Sequence, residues 1–283
     1  MKKIIAAAVT AAFVVPAFAA DVNITGDMEY SLQDGNSVTT SALDGDFNIK
    51  VSGDNGEGIS YAADFNVNAA DTIANDGGNS LTLSGTFGKV DMGDTSSAVD
   101  AIDDLTDVGY VLGQGSGGGD ADVLWTLPLG VEGLTVYASY GADTTVDASE
   151  DTHTGLSFTY ASGGFSLGYG MQDNDDSTEH SIVNGSYATG GLTIAAEVFT
   201  DKSATNVDTD TKNVGVSYDM GTMLVFVESS ETKVSGADAA TNDYTTVGVQ
   251  APLGSGLTVF LEQTDDSIDA TNEATVAGIA LSF

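Results

Sequence analysis

Cysteine and arginine are absent from this sequence, and its basic residues amount to seven lysines. Without cysteine there is no disulfide framework to read, which permits an exported route without establishing one. So few basic residues cannot supply the positive footprint that nucleic-acid binding needs. Long apolar runs are missing too. No stretch of 18 apolar residues occurs, so nothing crosses a membrane as a helix, and a barrel of strands is the one spanning option left. Histidine is confined to His153 and His180, in or beside predicted loops. No HExxH, GxSxG or phosphate-cradling glycine loop is present, and acid pairs are too common to single out a general acid and base. An enzyme is not indicated, and no cofactor is required.

What the chain does have begins at its amino end. Met1-Lys2-Lys3 is a short basic start, an apolar stretch runs from Ile4 to Val15, and Ala17-Phe18-Ala19 is a small-x-small cleavage pattern. Residues 1–19 are therefore expected to be a signal peptide cleaved after Ala19 or Ala20, leaving 20–283 as one domain. The mature chain would keep 42 acids and five lysines, a formal charge of −37. Cations are its natural partners. Disorder is the other meaning of such acidity, but 41% hydrophobic residues, many at period two, argue against it.

Alternation recurs from end to end. Val22, Ile24, Met28, Tyr30 and Leu32 face one way while Asn23, Thr25, Asp27, Glu29 and Ser31 face the other. Predicted strands fall near 22–33, 47–52, 59–67, 81–87, 90–95, 122–128, 134–140, 154–161, 165–172, 181–188, 192–199, 212–219, 223–229, 244–251, 257–263 and 275–283. Short glycine-rich turns such as Gly163-Gly164 and Gly190-Gly191 alternate with longer acidic connections such as 201–211 and 230–243. A meander across a membrane produces that alternation. The fold class expected is all-β, an antiparallel up-and-down transmembrane barrel of about 16 strands, wide enough to hold an aqueous channel. Tyr30, Phe65, Tyr110, Trp125, Tyr140, Tyr160, Tyr169 and Tyr218 lie mostly near strand ends, where amphipathic rings suit the membrane interface.

Two segments carry a resemblance. The last strand stops on Phe283, and a strand with an aromatic end resembles the assembly signal of Gram-negative outer-membrane proteins, which the barrel-assembly machinery reads. The stretch Leu81-Thr82-Leu83-Ser84-Gly85-Thr86-Phe87-Gly88-Lys89-Val90-Asp91-Met92-Gly93-Asp94, followed by Asp104-Leu105-Thr106-Asp107-Val108-Gly109-Tyr110, resembles the general porins of Rhodobacter and other alphaproteobacteria. That resemblance implies an outer-membrane homotrimer in lipid that passes small hydrophilic solutes and ions. It also implies that residues 96–120 form a third outer loop folded into the barrel. In that family basic residues, often arginines, face the acids of this loop; here the basic wall would rest on one or two lysines.

Asp100, Asp103, Asp104 and Asp107 would then stand at the constriction, where carboxylates in a narrow low-dielectric channel concentrate cations and repel anions. Lys50 is the basic candidate, because Phe47, Ile49 and Val51 claim the lipid face and leave Asn48 and Lys50 toward water. Lys89 falls in a predicted turn. The same parity sends Asp27, Glu29, Asp64, Glu197 and Glu262 to the lumen. Asp173, Asp175 and Asp176, or Gly117-Gly118-Gly119-Asp120-Ala121-Asp122, are oxygen clusters of the kind calcium takes, although acidic surfaces also hold divalent ions diffusely. A secreted acidic structural or calcium-binding β protein would share this composition, and a substrate-specific outer-membrane channel would share the fold. The glycine-aspartate nonapeptides of calcium β-rolls are absent.

Overall fold

Residues that alternate so consistently need two different surroundings, and a sheet closed on itself supplies them. The computed structural model describes residues 20–35, 38–68, 74–75, 78–103, 119–142, 152–175, 178–203, 207–236, 240–268 and 273–283. The expected signal peptide, Asp104, Asp107, Tyr110 and Asp176 lie outside these residues.

The strands are β1 Asp21–Gly35, β2 Val38–Asp54, β3 Ser60–Asn68, β4 in two pieces (Ala74–Asn75 and Ser80–Gly85), β5 Gly88–Ser96, β6 Asp120–Thr126, β7 Leu134–Gly141 and β8 His153–Ser162. They continue with β9 Phe165–Asn174, β10 Glu179–Thr189, β11 Leu192–Lys202, β12 Asp208–Asp219, β13 Leu224–Val234, β14 Asn242–Gly254, β15 Leu257–Asp266 and β16 Ala274–Ser282. Each pairs antiparallel with its neighbours in sequence, and β1 pairs with β16, so the 16-stranded barrel is closed. Gly26 and Phe283 exchange backbone hydrogen bonds of 2.9 Å, which carries that seam to the last residue.

One face of every well-formed strand leaves large apolar side chains exposed: Val22, Ile24, Met28, Tyr30 and Leu32 on β1, Leu156, Phe158 and Tyr160 on β8, Leu167, Tyr169 and Met171 on β9. On a closed barrel that continuous band faces lipid. The opposite parity carries Asp, Glu, Asn, Ser and Gly and faces inward. At the short-turn end Phe165 and Tyr187 pack in a tilted pair with ring centroids 4.3 Å apart, and the Trp125 indole donates to the Phe87 carbonyl at 2.8 Å. Such rings suit a headgroup-level girdle. Gly163, Gly164, Gly190 and Gly191 all have positive φ, the geometry that closes two-residue hairpins between right-twisted strands.

The strands run longer than the sequence pattern suggests. Of residues 34–46, expected as a long connection, 34–35 and 38–46 are instead strand, with register holding from Asp21↔Ser52 to Gly35↔Val38. Likewise β11 and β12 take most of 201–211, and β13 and β14 half of 230–243. At 15 and 17 residues, β1 and β2 exceed the roughly 9 to 11 that a tilted strand needs to span, so their polar ends project past the apolar band. Acidic alternation there looks loop-like in sequence because neither face has to be apolar. Pro252-Leu253-Gly254 closes β14 rather than forming a turn, and the pairing with β15 slips between Pro252 and Gly254.

The inner wall and its docked segment

After β5 the chain turns into the barrel. Ser97 donates its backbone N–H to the Gly119 carbonyl at 2.9 Å, which ties the base of this third connection. A 3-10 turn over Asp100–Ile102 follows. Val99 and Ile102, 0% and 4% exposed, bury against Ile182 of β10 and Phe199 of β11, with Tyr137 of β7 packed alongside. Each buried aliphatic side chain contributes on the order of 1.5–3 kcal/mol. Polar contacts fix the backbone: Ala98 N–H donates to Ser139 Oγ at 2.8 Å, and the Asn184 amide donates to the Ile102 carbonyl.

All of these partners have inward parity, so Ser97 to Asp103 lies inside the barrel. The wall is recessed to receive it. A Cβ on Gly155 would stand 2.5 Å from Ser139 Oγ and 3.2 Å from Ala98 Cβ, and one on Gly170 would meet Ile182, Ser157 and Ile102 at 3.1–3.2 Å. Glycine on β8 and β9 therefore makes room for another segment of chain.

Asp100 opens the 3-10 turn, where its N–H donates to Ser97 Oγ at 3.2 Å, and Asp103 ends it, 8% exposed. Asp104 and Asp107 fall outside the described residues. Lys50 stands on the inward face of β2 and pairs with Asp64 of β3 at 3.4 Å. Lys89 is a strand residue of β5 rather than a turn residue, also inward, and pairs with Asp91 at 2.8 Å. The expectation of a turn failed because the hairpin closes tightly at Gly85↔Gly88.

Asp27 and Glu29 have inward parity on β1, as expected. Beside them the register sets Asp46 directly opposite Asp27 and Asp44 directly opposite Glu29. Four carboxylates thus form a two-by-two ladder, and Glu262 of β15 is close enough for its charge to act on Glu29. Like charges placed opposite one another cost stability, so their retention here is not a packing solution. Asp44 and Asp46 went unrecognised in the sequence because 34–46 looked like a loop. The available signal was parity: Leu43, Phe47 and Ile49 alternate with Asp44, Asp46, Asn48 and Lys50.

Glu197 and Glu262 share the inward parity but are buried, at 2% and 0% exposed. Asn213 Nδ2 donates to Glu197 Oε1 at 2.9 Å, so this carboxylate is held within the wall rather than freely wetted. His180 is also inward. Asn174 Nδ2 lies 3.0 Å from its Nε2, which assigns the ring proton to Nδ1 facing Asp201. Among the described residues no group of three or more His, Asp or Glu is placed to hold a metal ion.

Apolar outside, polar inside and closed by antiparallel strands, this is an outer-membrane β-barrel protein. The model of the Gram-negative porins matches residues 6–276, and the chain belongs to that family. It resides in the Gram-negative outer membrane, and its family and fold are those of a passive channel rather than of an enzyme. A porin of Rhodobacter capsulatus is 29% identical over 151 residues, 51% of this chain and 44% of that relative, so the aligned stretch spans less than half of it. A porin structure refined at 1.8 Å overlays with a TM-score of 0.79 at 18% identity, covering 93% of this chain and all of that one. An anion-selective porin from Comamonas acidovorans overlays at 0.76 with 15% identity, again over 93% of this chain and all of that one.

Proposed function

We propose that the chain forms a water-filled diffusion pore for small hydrophilic solutes and ions, with preference for cations. The observation that carries the sign of the preference is the state of the inward lysines. Among the described residues only Lys50 and Lys89 face inward, and each already holds an aspartate. Neither offers an uncommitted positive charge to a passing anion. Against them stand the carboxylate ladder of Asp27, Glu29, Asp44 and Asp46, and the docked segment with Asp100 and Asp103. Low-dielectric walls focus that field, which raises the local concentration of cations. The fold itself does not set the sign, since the Comamonas acidovorans porin shares it and selects anions.

The constriction in this proposal lies where residues 97–103 occupy the interior, with Asp104 and Asp107 continuing the same acidic segment. A homotrimer in outer-membrane lipid, assembled by machinery that reads Phe283, completes the proposal. Single-channel recording in a planar bilayer with a salt gradient tests it. Insertion in three equal steps with a reversal potential favouring cations is expected. A reversal potential favouring anions overturns the preference, and no conductance from demonstrably folded protein overturns the channel.

A further inference from the structure

We propose that a cavity in the inner wall, where β16, β1, β2 and β3 lie side by side, is a binding subsite for a hydroxylated ammonium solute of the amino-sugar class. This names a solute for the water-filled pore proposed above and rests on that reading. The cavity has a volume of about 490 Å³ and is lined by Thr25, Asp27, Asp46, Asn48, Asn66 and Ser282, beside the seam bonds of Gly26 and Phe283. Sites for small molecules fall in the range of roughly 300–1,000 Å³. The acidic field of the wall concentrates any cation, whereas the cavity adds a shape and a hydrogen-bonding pattern.

The register sorts these side chains into two rows. Ser282, Asp27 and Asp46 are directly opposed across β16, β1 and β2, and Thr25, Asn48 and Asn66 across β1, β2 and β3. The rows stand two residues apart along the strands, roughly 7 Å. One row is thus anionic and the other neutral. Apart from Gly26 and from Phe283, whose ring covers the outward face of Gly26, every residue lining the cavity has a polar side chain, and none is basic.

Different solutes meet this wall differently. An anion meets Asp27 and Asp46 and no lysine. A bare metal ion needs more carboxylates than the cavity supplies, and among the described residues no group of three or more His, Asp or Glu is placed to hold one. A linear diamine satisfies the carboxylates but carries only donors and methylenes, so the amide N–H groups of Asn48 and Asn66 find no acceptor on it. A neutral sugar offers hydroxyls to both rows yet brings no counter-charge to the opposed carboxylates. An amino sugar answers both rows: its ammonium donates to Asp27 and Asp46, and its hydroxyls donate to and accept from Thr25, Asn48, Asn66 and Ser282.

Saturation-transfer NMR on the folded barrel in detergent, titrated separately with protonated glucosamine, N-acetylglucosamine and 1,4-diaminobutane, tests the site. Saturable binding of glucosamine is expected, with each of the other two about tenfold weaker, equivalent to about 1.4 kcal/mol. Asp27→Asn and, separately, Asn48→Leu should each weaken glucosamine about tenfold. Asn48→Leu leaves the charge of the wall unchanged, so binding driven by the acidic field alone would not respond to it. Heat-modifiable gel mobility verifies that both variants are folded. Either of the other two solutes bound as tightly as glucosamine, or an unchanged glucosamine affinity in either variant, overturns the site. The readout is independent of conductance: binding without conductance overturns the channel and leaves the site, and conductance without binding overturns the site alone.

Discussion

The wall formed by β1–β3 and the wall formed by β7–β11 enclose the same interior with opposite chemistry. The first presents Asp27, Glu29, Asp44, Asp46, Lys50 and Asp64. The second presents Ser139, Gly155, Gly170, Ile182, Asn184 and Phe199, and it is covered by the segment from Ser97 to Asp103. Inward parity alone does not mean a water-lining residue. Where another stretch of chain docks, the inner face needs recesses and apolar surface as a protein core does. Where no described residue docks, it keeps charged side chains, with Lys50 and Asp64 paired among them.

The largest expected effect abolishes the contrast by leaving the barrel unclosed. Phe283 supplies both backbone bonds to Gly26 at the end of the β1–β16 seam, and its ring covers Gly26, where a Cβ would stand 2.8 Å from Phe283 Cζ. Deleting Phe283 should remove most of the heat-modifiable, folded protein from the outer membrane. Normal yield of folded barrel from that truncation would count against the assembly role.

Next in size is a change confined to the docking wall. Gly170→Leu places a side chain where Ile102 and Ile182 already meet, and overpacking of this kind costs about 1–3 kcal/mol. Lower thermal stability together with altered single-channel conductance is expected, since the segment lifts from β9 and β10. Unchanged conductance would show that residues 97–103 do not shape the passage.

The charged wall should respond in the opposite manner. Replacing Asp27, Glu29, Asp44 and Asp46 by their amides removes two directly opposed acid pairs, each an unfavourable contact on the order of 0.2–1 kcal/mol. Stability should hold or rise while the reversal potential in a salt gradient moves toward zero. The same recording on Asp103→Asn, Asp104→Asn and Asp107→Asn combined measures the share of the docked segment. If neither set moves the reversal potential, the selectivity does not come from this interior.

The barrel was legible in the sequence because lipid on one face and water on the other enforce period two, as Val22 to Leu32 show. Strand ends were not, because beyond the lipid band both faces meet water and the pattern of 34–46 loses its apolar half. Parity placed Asp27, Glu29, Lys50 and Asp64 on the inward face, but it could not tell a wetted carboxylate from Glu197 or Glu262. That distinction depends on which strands become neighbours. The same holds for Gly155 and Gly170, which read as plain small residues until the segment they accommodate is seen against them. Lys89 was misplaced for a local reason: the two-residue turn falls at Thr86-Phe87, with Gly85 paired to Gly88, rather than at Gly88-Lys89.

The smallest expected effect separates a structural lysine from a selective one. Lys50 is half exposed and its 3.4 Å contact with Asp64 is a screened pair, worth no more than about 0.2–1 kcal/mol. Lys50→Ala should therefore leave thermal stability almost unchanged. Its electrical consequence should be clearer, because Asp64 loses its counter-charge and joins the acids of the β1–β2 ladder on a contiguous stretch of wall. Cation over anion permeability should increase, more at low salt than at high salt, where screening within about 10 Å at 0.1 M mutes the difference. A fall in cation preference on losing Lys50 would instead mean that the pair, not the free carboxylate, is what passing cations meet, and that the two walls differ less in their field than in their shape.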